Sequence, residues 1–381
     1  MSRDADILVA GAGPVGLALA LALHRQGIAV LVLEKRDSLS RASRASTFHP
    51  PTLEALDGLG VFASLRPRGV QVDRILWRRI DTGASALLDL GMLAGETRFP
   101  FRWHHEQREL TPALLAALPD GAVRFAAGVV AMEQHGEGVT LRCEDGSVHR
   151  ARFAVGCDGA SGVMRSLAGI GAETNDYAHR VLRLETTLDL RAHIDGLDGV
   201  GYLHDSQSSV SLLRMPGLWR LIFRIAPDMP DAAAMEEGHA RSRIARFMPD
   251  IADMPIASRD VYGVRKAMAV GYRAGRVLLA GDAAHLTNTR GGMNMNAGVQ
   301  DAMTLAATLR RVLGGADDAL LDRWAAARLA AVREALLPRS DSRVAAEPGA
   351  EVARMAAMTR EQALAWAREA SMLDIAKAGA P

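Results

Sequence analysis

The sequence predicts an α/β fold: a Rossmann-like dinucleotide-binding domain, interrupted by an inserted, mainly β-sheet domain and followed by C-terminal helices. Two observations carry this. Strand, glycine turn and helix recur in that order at residues 6–26, 153–165 and 276–313, and the motif-free stretch between the last two reads mostly as strands. At 381 residues the chain is also long enough for two domains of roughly 150 residues each. The boundaries read as 1–71, 98–175 and 260–338 for the discontinuous nucleotide-binding domain, 72–97 and 176–259 for the β-sheet domain, and 339–381 for the helical segment.

Composition narrows the function. A hydrophobic fraction of 49% supplies large cores. Lys+Arg 45 against Asp+Glu 44 leaves +1, too little field to grip nucleic acid, and aromatics at 4% disfavour base-stacking platforms. Cys143 and Cys157 alone make neither a disulfide scaffold nor a cysteine-rich metal site. The apolar run 7–23 is broken by three glycines and a proline and follows Asp4 and Asp6, unlike a signal peptide. No uninterrupted run reaches the roughly 20 apolar residues of a spanning helix. The expectation is a soluble, cytoplasmic monomer or homodimer with no nucleic-acid partner and no membrane span.

Residues 6–10 (DILVA) read as a buried strand running into Gly11-Ala12-Gly13-Pro14-Val15-Gly16, a GxGxxG. Gly11 makes the tight turn, Gly13 lets a pyrophosphate approach the backbone, and Gly16 lets helix pack on strand. A helix follows over 15–26, with Gly27 placed to cap it, then a second strand over 28–33 that ends at Glu34. Glu34 can accept bonds from a ribose hydroxyl. A lone GxGxxG also describes a turn without ligand, but the whole order favours a dinucleotide. NAD and FAD both present a ribose to such an acid, so this unit leaves them open.

Residues 276–280 (RVLLA) form a further buried strand, leading into Gly281-Asp282-Ala283-Ala284-His285. A loop holding Gly291 and Gly292 then precedes a helix over about 295–313. A carboxylate there suits a sugar or ribityl hydroxyl, and the helix start at Met295-Asn296 would stabilise negative charge on the edge of a reduced flavin. Asp158-Gly159 again lies in a strand, Asp-Gly turn and helix order, an ordinary turn being the alternative when it is taken alone. Asp282 and His285 have poor ligand spacing, so no metal is expected. Ser161 lies in GASG rather than a GxSxG elbow, which disfavours a hydrolase.

GAGPVG with Glu34, CDGASGVMR, and RVLLAGDAAHLTNTRGGMNMNAGVQDAMTLA, together with residues 44–54, Leu59-Gly60 and 107–110, resemble the single-component FAD-dependent aromatic hydroxylases. The resemblance covers the nucleotide-binding half and makes that domain an FAD-binding one. It implies that Gly11, Gly13, Pro14, Val15, Gly16 and Glu34 hold the cofactor's nucleotide, and that Arg44 and Gln107 meet its pyrophosphate and ribityl region. Val130 would lie by the adenine, Asp158 in a mixed FAD/NAD(P)H motif, and Asp282 at a ribityl hydroxyl, with Met295 and Asn296 cradling the isoalloxazine edge beside Ser46-Thr47. The family usually has proline where this chain has Asn288 and Thr289, glycine at Asn294 and serine at Gly162. Losing the prolines is expected to soften the loop.

The activity implied is an FAD-dependent monooxygenase using NADH or NADPH and O₂ to hydroxylate a phenolic, polyketide or heteroaromatic small molecule. By that resemblance NAD(P)H would reduce FAD, and the reduced flavin would react with O₂ at carbon 4a to give a hydroperoxide able to pass one oxygen to the ring in a site shielded from water. The alternatives are epoxidation, reduction or halogenation on the same fold, an NAD-dependent dehydrogenase, and a flavin-binding partner protein without activity. Residues 218–223 read LWRLIF, giving no halogenase-like WxWxIP, and a dehydrogenase leaves the GDAAH and Asp-Gly blocks unexplained.

In the inserted domain, strands are expected at 181–190, 200–204, 209–215 and 219–225, further strands within 72–89, and a helix near 232–247. Alternation puts Tyr202, His204 and Ser206 on one face, with Arg214 and Arg220 flanking the next hairpin. Tyr202 and His204, able to take a phenolic proton, and Arg214, able to hold a carboxylate, are the substrate candidates; exposed polar positions are the alternative. No catalytic residue is assigned. Met355, Met358 and Trp366 are read as packing the C-terminal helices onto the body, a pocket lining or a subunit contact being the alternative.

Overall fold

The continuous apolar runs ILVA, VLVL, FAVG and VLL are what a parallel sheet covered on both faces requires. In the computed structural model, which describes residues 3–42, 45–345 and 349–381, they lie side by side. The sheet order is Arg273–Ala274, Val277–Leu279, Phe153–Gly156, Ile7–Ala10, Val30–Leu33, Val123–Arg124, all parallel except the first pair. Helices Pro14–Arg25 and Asn294–Leu313 pack on it, contributing Leu17, Leu21, Leu305 and Leu309 to one large core. A small antiparallel sheet, Val129–His135, Gly138–Cys143 and Val148–Ala151, leads into the Phe153–Gly156 strand.

The inserted sheet has eight strands, and the strands Arg74–Arg79 and Ser85–Asp89 join it as expected. All pairs are antiparallel except Val200–His204 with Arg74–Arg79. Its longest member, Ala172–Thr186, starts earlier than expected and stops before Leu190, where Asp189 accepts the Arg191 N–H and caps a 3-10 turn. The expected helix breaks at the extended backbone of Glu236 into Asp231–Met235 and Glu237–Phe247.

Strand alternation gives this sheet two different faces. Leu182, Leu212, Leu221 and Phe223 point to the helices and bury against Ile244 and Phe247, each contributing roughly 1.5–3 kcal/mol. Across the sheet, Trp77 and Tyr202 meet Val352, Met355 and Ala367 of helices Ala350–Ala356 and Arg360–Ala370. Trp366 meets Trp77 edge-on at 5.2 Å, so the C-terminal segment does pack on the body.

Candidate active site

Four parallel strands end in register on one edge: Ala10 beside Leu33 and Gly156, and Gly156 beside Leu279. The chain continues from them into Gly11, Glu34, Asp158 and Asp282. Ligands bind at this edge of an open parallel sheet.

The turns touch backbone to backbone. A Cβ on Gly11 (φ +104°) would lie 2.5 Å from the Cys157 carbonyl oxygen, and one on Gly16 2.0 Å from the Gly11 carbonyl oxygen. One on Gly281 would meet Val15 at 2.9 Å, and one on Gly298 the Gly281 Cα at 2.9 Å. Gly13 differs, because its Cβ would enter open space. Helix Pro14–Arg25 starts there with no side-chain cap and no acid in its first turn, so free N–H groups and the positive helix end face the opening. A backbone cradle that a side chain would fill fits a pyrophosphate.

Around this cradle, the Glu34 carboxylate accepts the Ala12 N–H at 2.8 Å and the Arg36 N–H at 3.0 Å. The Ala127 N–H donates to the Glu34 carbonyl and leads into the strand carrying Val130, which is 48% exposed and offers an apolar surface near that end. Asp158 accepts the Met164 N–H at 2.9 Å, its other oxygen has no partner among the described residues, and burial pushes its pKa up. A Cβ on Gly162 would lie 2.0 Å from the Asp158 carboxyl carbon, so the carboxylate occupies the space the family's usual serine would need.

Asp282 sits half-buried on the turn Gly281–Ala283, anchored from below by Asp301. Asp301 accepts the Gly281 N–H at 3.0 Å, lies 2.8 Å from His285 Nε2, and takes Arg328 Nε at 2.8 Å. Burial pushes the Asp301 carboxyl up, but Arg328 and His285 outweigh it and hold the pKa low. His285 is thus a support of the turn. Among the described residues no cluster of three His, Cys, Asp or Glu is arranged for a metal. Sequence reasoning missed Asp301, whose only signal is an acid on an otherwise apolar helix face.

The side chain of Asn296 is consumed internally: it accepts the His49 N–H at 2.8 Å and donates to the carbonyls of Thr47 (2.8 Å) and Gly292 (2.6 Å). Any cradling at Met295 and Asn296 therefore falls to the backbone at the helix start. Gln107 fastens the chain at Ala45 through two bonds of 3.2 Å. Arg44 lies outside the described residues.

The expected softening of the 287–294 loop needs correction. Asn294 accepts the Thr287 N–H at 2.7 Å and returns a bond to the Thr287 carbonyl, while Asn288 donates to the Ser340 carbonyl at 2.6 Å and accepts the Arg290 N–H. Side-chain bonds hold this loop where ring constraint would have done so.

Between that loop and the inserted sheet lies a pocket. Ala45–Thr47 and Asn288–Gly292 form one wall, while Val181, Arg183, Tyr202, Ser211, Arg220 and Arg224 are among the residues of the other. Of the three substrate candidates, only Tyr202 lines it. His204 is buried at the strand end, where its Nδ1 accepts the Gly349 N–H at 3.4 Å, and burial pushes its pKa down to about 4. Ser206 lies past the strand end and is exposed. Arg214 has the parity of Leu212, so its side chain leaves on the other face and Leu213 faces the pocket.

Two pocket features had weaker signals. Arg102 is buried within the aromatic run Phe99, Phe101, Trp103. His104 donates from Nδ1 to the Arg214 carbonyl at 2.8 Å, leaving Nε2 as the acceptor for the Thr47 hydroxyl at 3.3 Å. With its proton committed there, Thr47 can turn lone pairs to the pocket.

Comparison with known proteins agrees with this geometry. Residues 4–337 match a family model described as an FAD binding domain. The chain is 31% identical over 331 residues to para-nitrophenol 4-monooxygenase of Pseudomonas sp. (strain WBC-3), covering 84% of this chain and 81% of that one. It is 31% identical over 388 residues to a probable NADH-specific resorcinol 4-hydroxylase of Rhodococcus jostii (strain RHA1), covering 99% and 70%. The crystal structure of p-nitrophenol 4-monooxygenase from Pseudomonas putida DLL-E4 superposes with a TM-score of 0.87 at 28% identity, over 99% of both chains. With the glycine cradle, the acidic turn and these relatives in agreement, the chain belongs to the family of single-component FAD-dependent aromatic hydroxylases.

Proposed function

We propose that this chain hydroxylates a phenolic small molecule with O₂ and NADH or NADPH, in the cytoplasm, as a monomer or homodimer. The pocket between the 288–292 loop and the sheet holds the substrate, with residues 72–97 and 176–259 forming the substrate-binding lobe. The observation that carries the reading is that this pocket shares the Thr47 and Gly291–Gly292 wall with the Asn296 end of the late helix, so ring and cofactor edge can meet there.

FAD, when bound, supplies hydride acceptance and oxygen activation. Gly11, Gly13 and the free N–H groups of helix Pro14–Arg25 hold its pyrophosphate, Glu34 and Val130 its adenosine end, and Asp282 a ribityl hydroxyl. The N–H groups at Met295 and Asn296 offset negative charge on the ring edge. Thr47 Oγ1 accepts the substrate's phenolic O–H, and Tyr202, Leu213 and Ile222 help exclude water. A para-nitrophenol monooxygenase and a resorcinol hydroxylase among the relatives support a phenol over a polyketide.

The test loads purified protein with FAD and follows NADH and NADPH oxidation with a panel of phenols. Faster oxidation with an oxygenated product supports the reading. A product without added oxygen moves the activity to reduction or halogenation.

A further inference from the structure

Among the described residues, the arginines around the pocket are not all matched by carboxylates. Five of its lining residues are arginines: Arg102, Arg183, Arg220, Arg224 and Arg290. Arg183 is paired with Asp260, Arg220 with Glu106 and Glu185, and Arg290 with Glu351. Arg102 has no such partner among the described residues. It is 1% exposed, and among the described residues its Nε has no hydrogen-bond partner, while the rest of the guanidinium meets the Ala370 carbonyl at 3.4 Å and the Tyr202 side chain, neither of which brings a full compensating charge.

Arg343 adds to this field. It reaches from helix Leu337–Ala345 to Gly291, where a Cβ would strike its guanidinium, and it too has no ion pair among the described residues. Burial and the nearby Arg102 push its pKa down to about 10. A guanidinium stays charged even so, and a buried charge without a partner is strongly unfavourable. The aromatic frame suits a ring: Arg290 lies over Tyr202 at 4.9 Å and Arg343 over Trp366 at 5.7 Å.

We propose that Arg102, with Arg290 beside it and Arg343 behind Gly291, forms an anion subsite for a carboxylate borne by the aromatic substrate. This rests on the hydroxylase reading above and narrows it to hydroxylated aromatic acids. The planar, two-oxygen anion meets Arg102 Nε and Nη in a forked bond and neutralises the shared field of both unpaired arginines. Arg343 makes the subsite dependent on the C-terminal segment, beyond the residues that match the family model.

The experiment titrates the FAD-loaded protein with para-hydroxybenzoate and para-hydroxyphenylacetate, each against its methyl ester and against para-nitrophenol, reading the flavin absorbance change. At least one acid should bind about tenfold or more tighter than its ester, and Arg102→Leu should remove that preference while leaving the ester within about twofold. Arg343→Gln, a second route should Arg102→Leu fail to fold, should weaken the acid by several-fold and spare the ester. Equal binding of acid and ester, preference for the neutral nitro isostere, or equal weakening of all ligands in Arg343→Gln overturns the proposal. If esters bind and speed NAD(P)H oxidation as well as acids do, the hydroxylase reading stands and the carboxylate subsite falls. If no phenol of either kind speeds oxidation or yields oxygenated product, both fall.

Discussion

A Cβ on Gly298 would lie 2.6 Å from Val15 Cγ2 and 2.9 Å from Gly281 Cα. Alanine would gain about 1 kcal/mol of helix propensity there. Val15 can rotate, but the Gly281 backbone cannot yield without moving the acidic turn, and overpacking of this kind costs roughly 1–3 kcal/mol. The strain wins, so Gly298→Ala should lower both the melting temperature and the flavin retained per chain, read by thermal unfolding and visible absorbance. Full flavin content at an unchanged melting temperature would contradict the contact between the two turns. The glycines of GAGPVG and GDAAH are readable in the sequence because each has a local steric reason. That Arg102 meets no carboxylate among the described residues is not, since it depends on what distant parts of the fold bring near it.

Buried histidines set a pH dependence at the same scale. Burial pushes His104 and His204 down to about 4, with Arg102 and Arg290 respectively adding to the effect. Both are neutral in the fold, while the unfolded chain takes up protons near the ordinary value of about 6.5. Stability is therefore fully present above that value, falls as pH drops toward 4, and levels off below. Each histidine accounts for on the order of 3 kcal/mol across that window. Urea midpoints at pH 7 and pH 4.5 check this, and His204→Gln should make the two lie closer together.

Elements were readable wherever one strong local pattern governed them. The parallel strands and the strands of the inserted sheet fall where apolar runs and turn residues place them. Which face each strand turns inward is a property of the sheet. Arg214 leaves the pocket because its strand's pairing puts Leu213 and Ser211 on that side, and no feature of the hairpin alone announces it. The loop 287–294 has the opposite lesson, since its lost prolines suggested softness and its asparagines supply bonds instead. Asn288→Ala removes the tie to Ser340 and the Arg290 N–H acceptor. It should raise the fraction of NAD(P)H oxidation that ends in peroxide instead of product, measured by peroxide assay against product yield, while flavin binding stays near normal. An unchanged fraction would mean that the loop's order does not govern coupling.

In the whole molecule, residues far apart in sequence meet at one crevice: Gly11, Asp158 and Asp282 on the sheet edge, Thr47 and Gly291 at the pocket wall, and Arg343 from the C-terminal segment behind it. No helix among the described residues is long and apolar enough to cross a membrane. Because FAD binds the folded chain and not the unfolded one, it should stabilise the chain by mass action. At a hundredfold excess over its dissociation constant the gain is roughly 2.7 kcal/mol, seen as a higher melting temperature with added FAD and none with added NAD. A rise with NAD alone would favour a dehydrogenase.

The most direct measurement supplies the FAD-loaded protein with NADH or NADPH, the phenol that most accelerates its oxidation, and isotopically heavy dioxygen, and then reads the product mass. One heavy oxygen atom on the aromatic ring is the predicted result. A product whose added oxygen comes from water, or one that gains no oxygen at all, would contradict it.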